Sequence, residues 1–403
     1  MKHPIAFSPP DIGEQEIAAV SEVLRSGWIT TGPKTKEFER RLSEYCGTGR
    51  TACLGSATAA LELTLRLLGI GPGDEVITSA YTYTASASVI CHVGATPILV
   101  DTAPDSYEMD LEQLKAAVTP RTKAVIPVDI AGVMCDYTRI LRISRETAGR
   151  FSPSKNPVQQ ALGRIAVIAD AAHSLGAWRD GKRSGQAADF SCFSFHAVKN
   201  LTTGEGGAAT WNPVPSIPDG EIYRQYMLLS LHGQSKDALE KAIGGSWEYD
   251  ILSPAYKCNM TDIQAAIGLV QLSRYPQLLA RRRKLFACYR EGLSDAPISL
   301  LEHVGDGYCS SHHLCLTSLS GITEEQRNEV IRRLAEQGIA ANVHYKPLPL
   351  LTAYRNLGFC ADDYPNAVKQ YQKELTLPLH TLLRIEDVQE ITQILKEILT
   401  QTI

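Results

Sequence analysis

Residues 165–174 read IAVIADAAHS, an apolar run of strand length that ends on a carboxylate and is followed three positions later by a histidine. Similar short apolar runs stand earlier in the chain, and amphipathic segments such as DLEQLKAAV at 110–118 separate them. These runs lie at 51–54, 75–78, 97–100 and 124–128. Strands that alternate with helices form a mostly parallel sheet covered on both faces. The sequence therefore predicts an α/β fold with a mostly parallel central sheet flanked by helices.

The pattern changes after Pro276, where long charged helices replace the alternation and a few β-like runs appear beyond His312. A chain of 403 residues is long enough for two domains. We therefore predict a large α/β domain over residues 1–269 and a smaller C-terminal α+β domain over residues 270–403.

Composition excludes several classes of protein. Forty basic and 44 acidic residues leave a net charge of −4, so no overall field favours nucleic acid or an anionic membrane. The sequence has no apolar run of membrane-spanning length and no leader-like apolar core at its start. Its ten cysteines include no CxxC pair, which favours reduced thiols over disulfides. We expect a soluble, cytoplasmic protein with no membrane or nucleic-acid partner.

One segment resembles a metal site, because Cys309, His312, His313 and Cys315 lie within seven positions. Adjacent histidines in so short a loop suit tetrahedral zinc poorly. We expect no metal here.

Parallel sheets bind ligands at the carboxyl ends of their strands, so the polar residues just beyond each strand are the candidates for chemistry. Gly55, Ser56, Ala57 and Thr58 form a strand-to-helix turn, where N–H groups and the helix dipole favour an anion such as phosphate. The alternative is that Ser56 or Thr58 is an ordinary helix N-cap.

Asp170 ends a buried run and so needs a positive partner or strong donors. A protonated ring nitrogen of a cofactor, an N-cap role or a neighbouring arginine would each meet that need.

Lys199 lies in CFSFHAVKN at 192–200, amid apolar and small residues. A lysine in an apolar pocket loses its proton more easily and becomes an amine nucleophile suited to Schiff-base chemistry. The alternative is an ordinary surface lysine. Tyr83 follows the strand near 75–78, where its ring could cover a flat cofactor or pack in the core. The chain has no GxxxxGK[ST] loop and no GxGxxG after its first strand, which disfavours P-loop and dinucleotide sites.

The order and spacing of these features resemble the DegT/DnrJ/EryC1/StrS family of nucleotide-sugar aminotransferases, which have pyridoxal phosphate fold type I. The resemblance extends from about residue 5 to 395, and its motifs look most like those of the aminotransferases that form UDP-4-amino-4-deoxy-L-arabinose. The matching motifs are SGW at 26–28, TGP at 31–33, SATAAL at 56–61, GIGPGDEVI at 69–77, TPRTKAVIPV at 119–128, DAAHS at 170–174, FSFHAVKN at 193–200, GEGG at 204–207, YKCNMTDIQAAIG at 256–268 and VHYKPL at 343–348.

The resemblance implies pyridoxal 5'-phosphate as cofactor and gives each candidate a role. Lys199 would form the aldimine and move the substrate proton, and Asp170 would keep the pyridine nitrogen protonated. Tyr83 would stack on the ring, with His173 near its phenolic oxygen or face. The phosphate site would comprise Ser56, Ala57, Thr58 and Ser194, completed by Lys257 and Asn259 from the neighbouring subunit of a homodimer.

The implied reaction moves the amino group of L-glutamate to a keto carbon of a nucleotide-linked sugar, carried by UDP or dTDP, with a UDP-4-keto sugar the best match. Two alternatives stay open: a sugar dehydratase, whose relatives have His where Lys199 stands, and a non-catalytic sensor that binds the same cofactor. The chain departs from many relatives in having Asp129 in place of His, and Lys257 and Asn259 in place of Asn and Arg. The Asp129 change leaves the substrate end of the pocket undefined.

Overall fold

The computed structural model describes residues 4–236 and 248–402. In chain order the strands are β1 Thr51–Leu54, β2 Glu75–Ser79, β3 Thr96–Val100, β4 Thr122–Ile126, β5 Ala166–Asp170, β6 Trp178–Arg179, β7 Lys182–Arg183, β8 Phe190–Ser194, β9 Gly207–Trp211, β10 Ile298–Leu300, β11 Val304–Gly305, β12 Tyr308–Cys309, β13 Cys315–Leu319 and β14 Glu374–Leu377.

The helices are α1 Glu14–Ser26, α2 Pro33–Cys46, α3 Ala57–Leu67, α4 Ala85–His92, α5 Leu111–Ala117, α6 Tyr137–Glu146, α7 Pro157–Leu162, α8 Asp219–Ser230, α9 Asp262–Ser273, α10 Tyr275–Gly292, α11 Glu324–Glu336, α12 Thr352–Asn356, α13 Pro365–Lys373 and α14 Ile385–Thr402. In the part of the chain that the structure describes, none of these helices has the length and apolar character needed to cross a bilayer.

The central sheet has seven strands in the order β1-β9-β8-β5-β4-β2-β3. Strand β9 runs antiparallel to β1 and β8, and the remaining neighbours are parallel. The predicted α/β fold with its mostly parallel sheet is therefore confirmed. Because β9 is reversed, it begins at the edge where β1, β5 and β8 end, and Gly207 is paired with both Leu54 and Ser194.

Successive residues of a buried strand pack into different cores. Val167 belongs to one apolar cluster with Val125, and Ile168 belongs to another with Ile126. Side chains alternate along a strand, so the sheet is covered by helices on both faces. The strand predicted at 124–128 instead spans Thr122–Ile126, because Pro127 has no N–H to donate to the ladder.

A second, antiparallel sheet in the order β10-β13-β14 packs with α11 and α14 around a third apolar cluster. Ile5 belongs to this cluster, and its N–H donates to the Gly338 carbonyl at 2.8 Å. The predicted boundary between residues 269 and 270 falls inside α9. The division into domains 1–269 and 270–403 stays a prediction.

Candidate active site

The turn between β1 and α3 presents free backbone donors at the carboxyl edge of the sheet. Ser56 is the N-cap of α3, since its hydroxyl accepts the Ala59 N–H at 3.0 Å. Among the residues that the structure describes, the N–H groups of Ala57 and Thr58 have no protein acceptor. Ser56 therefore has the N-cap role that the sequence left open, while the two N–H groups next to it remain available to an anion at the positive end of the helix dipole.

Gly207 allows β9 to begin directly against this turn. A Cβ built on Gly207 would lie 2.3 Å from the carbonyl carbon of Ser56 and 2.4 Å from the nitrogen of Ala57. No side chain fits in that space. The close approach also places Ser194, which pairs with Gly207, beside the helix N-terminus.

Asp170 ends β5 with only 5% of its surface exposed. Its Oδ2 accepts the Ser86 hydroxyl at 2.7 Å, and its Oδ1 accepts the Ala172 N–H at 3.2 Å. Burial raises the pKa of Asp170, while these donors and the nearby Lys199 charge act in the opposite direction. Within the described ranges no arginine pairs with this carboxyl, so its charge is left for a cationic ligand.

Lys199 follows β8 and is half-buried. Desolvation lowers the pKa of Lys199 to about 8, although the negative charge of the Asp170 carboxylate acts to raise it. The unprotonated fraction of the amine at neutral to mildly alkaline pH is therefore larger than in an ordinary lysine, and the unprotonated form is the nucleophile. This environment favours the amine nucleophile over the ordinary surface lysine, and the role of Lys199 stays a prediction.

His173 is held as a neutral ring. Its Nδ1 accepts the Ala131 N–H at 3.2 Å, so the proton resides on Nε2, which donates to the Tyr345 hydroxyl at 3.2 Å. Burial, and then the charge of Lys199, keep the pKa of His173 well below its usual range. Tyr345 belongs to the VHYKPL motif, to which sequence reasoning gave no role.

A cavity of about 650 Å³ brings most of these groups together. Tyr83, which is 58% exposed, forms part of its wall, with its ring centroid 5.7 Å from that of Tyr345. The predicted site residues that line the cavity are Ser56, Ala57, Thr58, Tyr83, Asp170, His173, Ser194 and Lys199.

Lys257 and Asn259 do not line this cavity in their own chain. The Lys257 ammonium is hydrogen-bonded to Asn259 Oδ1, and the Asn259 amide donates to Thr31 Oγ1 at 2.5 Å. Between them, the Cys258 carbonyl accepts the Gly55 N–H at 2.7 Å. The segment that carries the two side chains thus packs against the β1–α3 turn, and their contribution to a neighbouring subunit stays a prediction.

The donor set fits pyridoxal phosphate. The cavity combines an anion cradle at a helix N-terminus, where a Cβ at Gly207 would collide, with a buried carboxylate, an amine of lowered pKa and an accessible aromatic ring. The cradle suits the phosphate of the cofactor, and the carboxylate suits its ring nitrogen. The amine suits its aldehyde carbon, and the aromatic ring suits its flat ring.

Asp129 lies outside the cavity lining and is buried. Its carboxyl accepts from the Cys135 N–H at 2.9 Å, the Tyr137 hydroxyl at 2.7 Å and the Ser174 hydroxyl at 2.6 Å. This network joins the segment after β4 to α6 and to the turn after β5. The network gives Asp129 a role in packing.

The Cys309–Cys315 segment is also packed internally. His303 and His312 stack with centroids 4.6 Å apart, and His313 Nδ1 lies 2.9 Å from Asn200 Oδ1. Over residues 4–236 and 248–402, no group of three or more His, Cys, Asp or Glu side chains is arranged to hold a metal ion.

Comparisons with known proteins agree with this geometry. The model of the DegT/DnrJ/EryC1/StrS aminotransferase family matches residues 10–396. The spore coat polysaccharide biosynthesis protein SpsC of Bacillus subtilis is 37% identical over 403 residues, which cover 98% of this chain and 97% of SpsC.

Solved structures match over the whole chain. Spr1654 of Streptococcus pneumoniae, whose name places it among the sugar aminotransferases, is 53% identical in its PLP-form, with a TM-score of 0.96 and complete coverage of both chains. It has also been solved in apo- and PMP-forms. PseC of Helicobacter pylori, an aminotransferase involved in the biosynthesis of pseudoaminic acid, is 28% identical, with a TM-score of 0.86 over 99% of this chain and 100% of PseC. The chain belongs to the DegT/DnrJ/EryC1/StrS aminotransferase family, and it is an aminotransferase whose cofactor is pyridoxal phosphate.

Proposed function

We propose that this member of the DegT/DnrJ/EryC1/StrS family transfers the amino group of L-glutamate to the keto carbon of a nucleotide-linked keto-deoxy sugar, a UDP-4-keto sugar, in two successive half-reactions. Glutamate leaves as 2-oxoglutarate in the first half-reaction, and the sugar is aminated in the second. The observation that carries the proposal is the presence of Lys199 and Asp170 in one cavity beside an anion cradle. The name of SpsC supports a role in surface polysaccharide or amino-sugar biosynthesis.

Pyridoxal phosphate, when bound, supplies an aldehyde carbon that reacts with amines and a protonated ring that withdraws electrons from the adjacent carbon. The chain's own groups prepare each part of that chemistry. Lys199 supplies an amine of lowered pKa, and once free it carries the proton between substrate and cofactor carbons. Asp170 Oδ1 and Oδ2, oriented by Ala172 and Ser86, stabilise a proton on the ring nitrogen.

The remaining residues bind and orient. The N–H groups of Ala57 and Thr58, with the Ser194 hydroxyl, would bind the phosphate, and Tyr83 would cover the ring. The neutral His173 ring, fixed between Ala131 and Tyr345, packs against the cofactor without adding a positive charge.

We also propose a homodimer in which Lys257 and Asn259 of one subunit complete the phosphate site of the other. Lys257 would then bring a full positive charge to the phosphate, and so form an ion pair there. We place the reaction in the cytoplasm, which the free thiols of all ten cysteines support.

The test is the absorption spectrum of the purified protein, before and after L-glutamate, followed by borohydride reduction and peptide mapping. We expect visible absorbance that glutamate bleaches, and covalent attachment of the cofactor to Lys199 when glutamate is omitted. The Lys199→Ala protein should lose multiple turnover, whereas Lys182→Ala, at an exposed lysine, should retain it.

Three outcomes would contradict the proposal. Multiple turnover by Lys199→Ala would remove the role of the lysine. Bound cofactor that no amino donor converts would favour the non-catalytic sensor. A deoxy-keto product without transferred nitrogen would favour the dehydratase, against which Lys199 itself argues.

A further inference from the structure

His344 lines the cavity and has no role in the proposed transfer of the amino group. Its backbone N–H donates to Glu374 Oε2 at 2.8 Å, and its Nδ1 lies 2.9 Å from Thr376 Oγ1. Thr376 in turn donates its hydroxyl to Glu374 Oε1 at 2.6 Å. Glu374 and Thr376 are fully buried on β14, so a buried hydroxyl holds one edge of the ring and a buried carboxyl holds the backbone of the same residue.

The directions of these bonds fix the proton on the ring. A threonine hydroxyl has one proton, and when Thr376 donates that proton to an ionised Glu374 it must accept from His344 Nδ1. A neutral imidazole protonated on Nδ1 carries a lone pair on Nε2. Burial, and then the charge of Lys199, lower the pKa of His344 to about 3, so the ring is neutral.

Glu374 must be ionised for this arrangement, and burial raises the pKa of Glu374 to about 8. The donors Thr376 and His344 and the guanidinium of Arg327 favour the charged form. The other ionisable groups that its charge reaches are Tyr81, Tyr107, Cys315 and Tyr345, all kept neutral by burial. Above about pH 8 the chain of bonds therefore runs from His344 through Thr376 to Glu374.

The other contacts of the ring leave only Nε2 for a ligand. Phe7 stacks on it with centroids 5.5 Å apart at 19°, and Tyr345 meets it edge-on at 4.9 Å. Within residues 4–236 and 248–402, His344 Nε2 has no protein hydrogen-bond partner. A nitrogen acceptor that lines a ligand cavity and has no protein partner is available to a donor group of a ligand.

We infer that, when Glu374 is ionised, His344 accepts a hydrogen bond at Nε2 from a hydroxyl of the sugar substrate, and that Thr376 and Glu374 position it for that contact. The inference rests on the proposed function. A lone pair repels the carboxylates of glutamate but suits a sugar hydroxyl, so His344 is specific to the second half-reaction. His344 contacts the substrate, and Thr376 acts through His344.

The experiment measures the two half-reactions separately at pH 9 in the cofactor-loaded protein, with L-glutamate in the first and a UDP-linked 4-keto hexose in the second. His344→Asn keeps an amide near Thr376 but removes Nε2, and His344→Gln places a polar atom near the Nε2 position. We expect His344→Asn to lower kcat/KM for the sugar about tenfold, the size of one hydrogen bond to a polar group. Glutamate kinetics should be unchanged, and His344→Gln should recover part of the loss.

Thr376→Val removes the hydroxyl at nearly constant shape, and Thr376→Ser is its matched control. Thr376→Val should slow the sugar half-reaction alone, and Thr376→Ser should leave it unchanged. In the double variant, Thr376→Val should lower kcat/KM for the sugar no further than His344→Asn does by itself, because the effects of coupled residues are not additive. Equal losses in both half-reactions, an unchanged sugar half-reaction, or additive effects would overturn the inference.

The ring nitrogens give a readout that does not depend on turnover. Nitrogen-15 NMR of histidine-labelled protein at pH 9, with His344→Gln to assign the signal, should show Nδ1 protonated in the wild type and in Thr376→Ser but not in Thr376→Val. If the wild type aminates no UDP-keto hexose, the proposed sugar substrate is wrong. In that case the predicted difference in Nδ1 protonation between the wild type and Thr376→Val still tests whether Thr376 positions His344. If the difference is observed, it supports that role, and if the two proteins are alike, the role is overturned.

Discussion

The Ser86 hydroxyl donates a 2.7 Å hydrogen bond to Oδ2 of Asp170 across 84 positions of sequence. Ser86 lies on α4, is fully buried, and is itself 2.8 Å from the Thr82 hydroxyl. Helix α4, which follows β2, therefore orients the Asp170 carboxylate at the end of β5. Strand β5 lies two places from β2 in the sheet. This bond explains how Asp170 is oriented for a cationic ring although no arginine of the described residues pairs with it.

Ser86→Ala should weaken binding of pyridoxal phosphate about tenfold, because the buried carboxylate loses a donor that favours its charged form. The matched control is Ser88→Ala on the same helix, where the hydroxyl donates to the Ala85 carbonyl at 3.4 Å. Titration of each cofactor-free protein with pyridoxal phosphate, followed by absorbance, measures both affinities. Equal affinities for the two variants would show that Asp170 does not depend on Ser86.

Gly207→Ala should lower both thermal stability and cofactor affinity. The new Cβ would stand 2.3 Å from Ser56 backbone, so β9 and α3 must separate at the anion cradle. Gly220→Ala is the control, since an added Cβ there meets nothing within 4 Å. Calorimetry with and without cofactor should show a lower Tm for Gly207→Ala and a smaller gain on binding. A Tm and a gain equal to those of Gly220→Ala would contradict the close approach.

The ends of the strands could be predicted from the sequence, because each short apolar run and the polar residue that follows it are read from neighbouring positions. Asp170 and Lys199 follow apolar runs, and a parallel sheet gathers such ends at one edge. Ser86 and Tyr345 were not predictable from the residues alone, because the partner of Tyr345, His173, lies 172 positions away and only the packed chain brings them together. The domain boundary at residue 270, which falls within a continuous helix, stays a prediction.

The rate at which the cofactor-free protein captures pyridoxal phosphate should rise with pH, with its midpoint near pH 8. The Lys199 amine reacts only when unprotonated, and desolvation lowers its pKa to about 8. Asp170→Asn should move the midpoint to lower pH, since the Asp170 carboxylate raises the pKa of Lys199. Stopped-flow absorbance across pH 6 to 10 measures both curves. A midpoint near that of an ordinary lysine, or one that Asp170→Asn leaves in place, would contradict this assignment.

Asp129 should make the protein less stable as the pH rises toward neutrality. Burial raises the pKa of Asp129 to about 7 in the folded chain, from an ordinary value of 3.8. Between those two values the folded state holds a proton that the unfolded state has released, so raising the pH favours unfolding. The full effect is at most about 4 kcal/mol, at 1.36 kcal/mol for each pKa unit.

Asp129→Asn isolates this contribution, because it keeps one acceptor for Cys135 and Tyr137 and removes the titration. The Ser174 hydroxyl, which also lies 2.7 Å from the Ser184 hydroxyl, can turn to accept from the new amide. Urea unfolding at pH 4.5 and at pH 7 should therefore show a larger loss of stability in the wild type than in Asp129→Asn. Since Asp129 lies outside the cavity lining, the variant should keep its half-reaction with glutamate. Parallel stability curves would assign the pH dependence to other buried groups, and a lost half-reaction would return Asp129 to the substrate site.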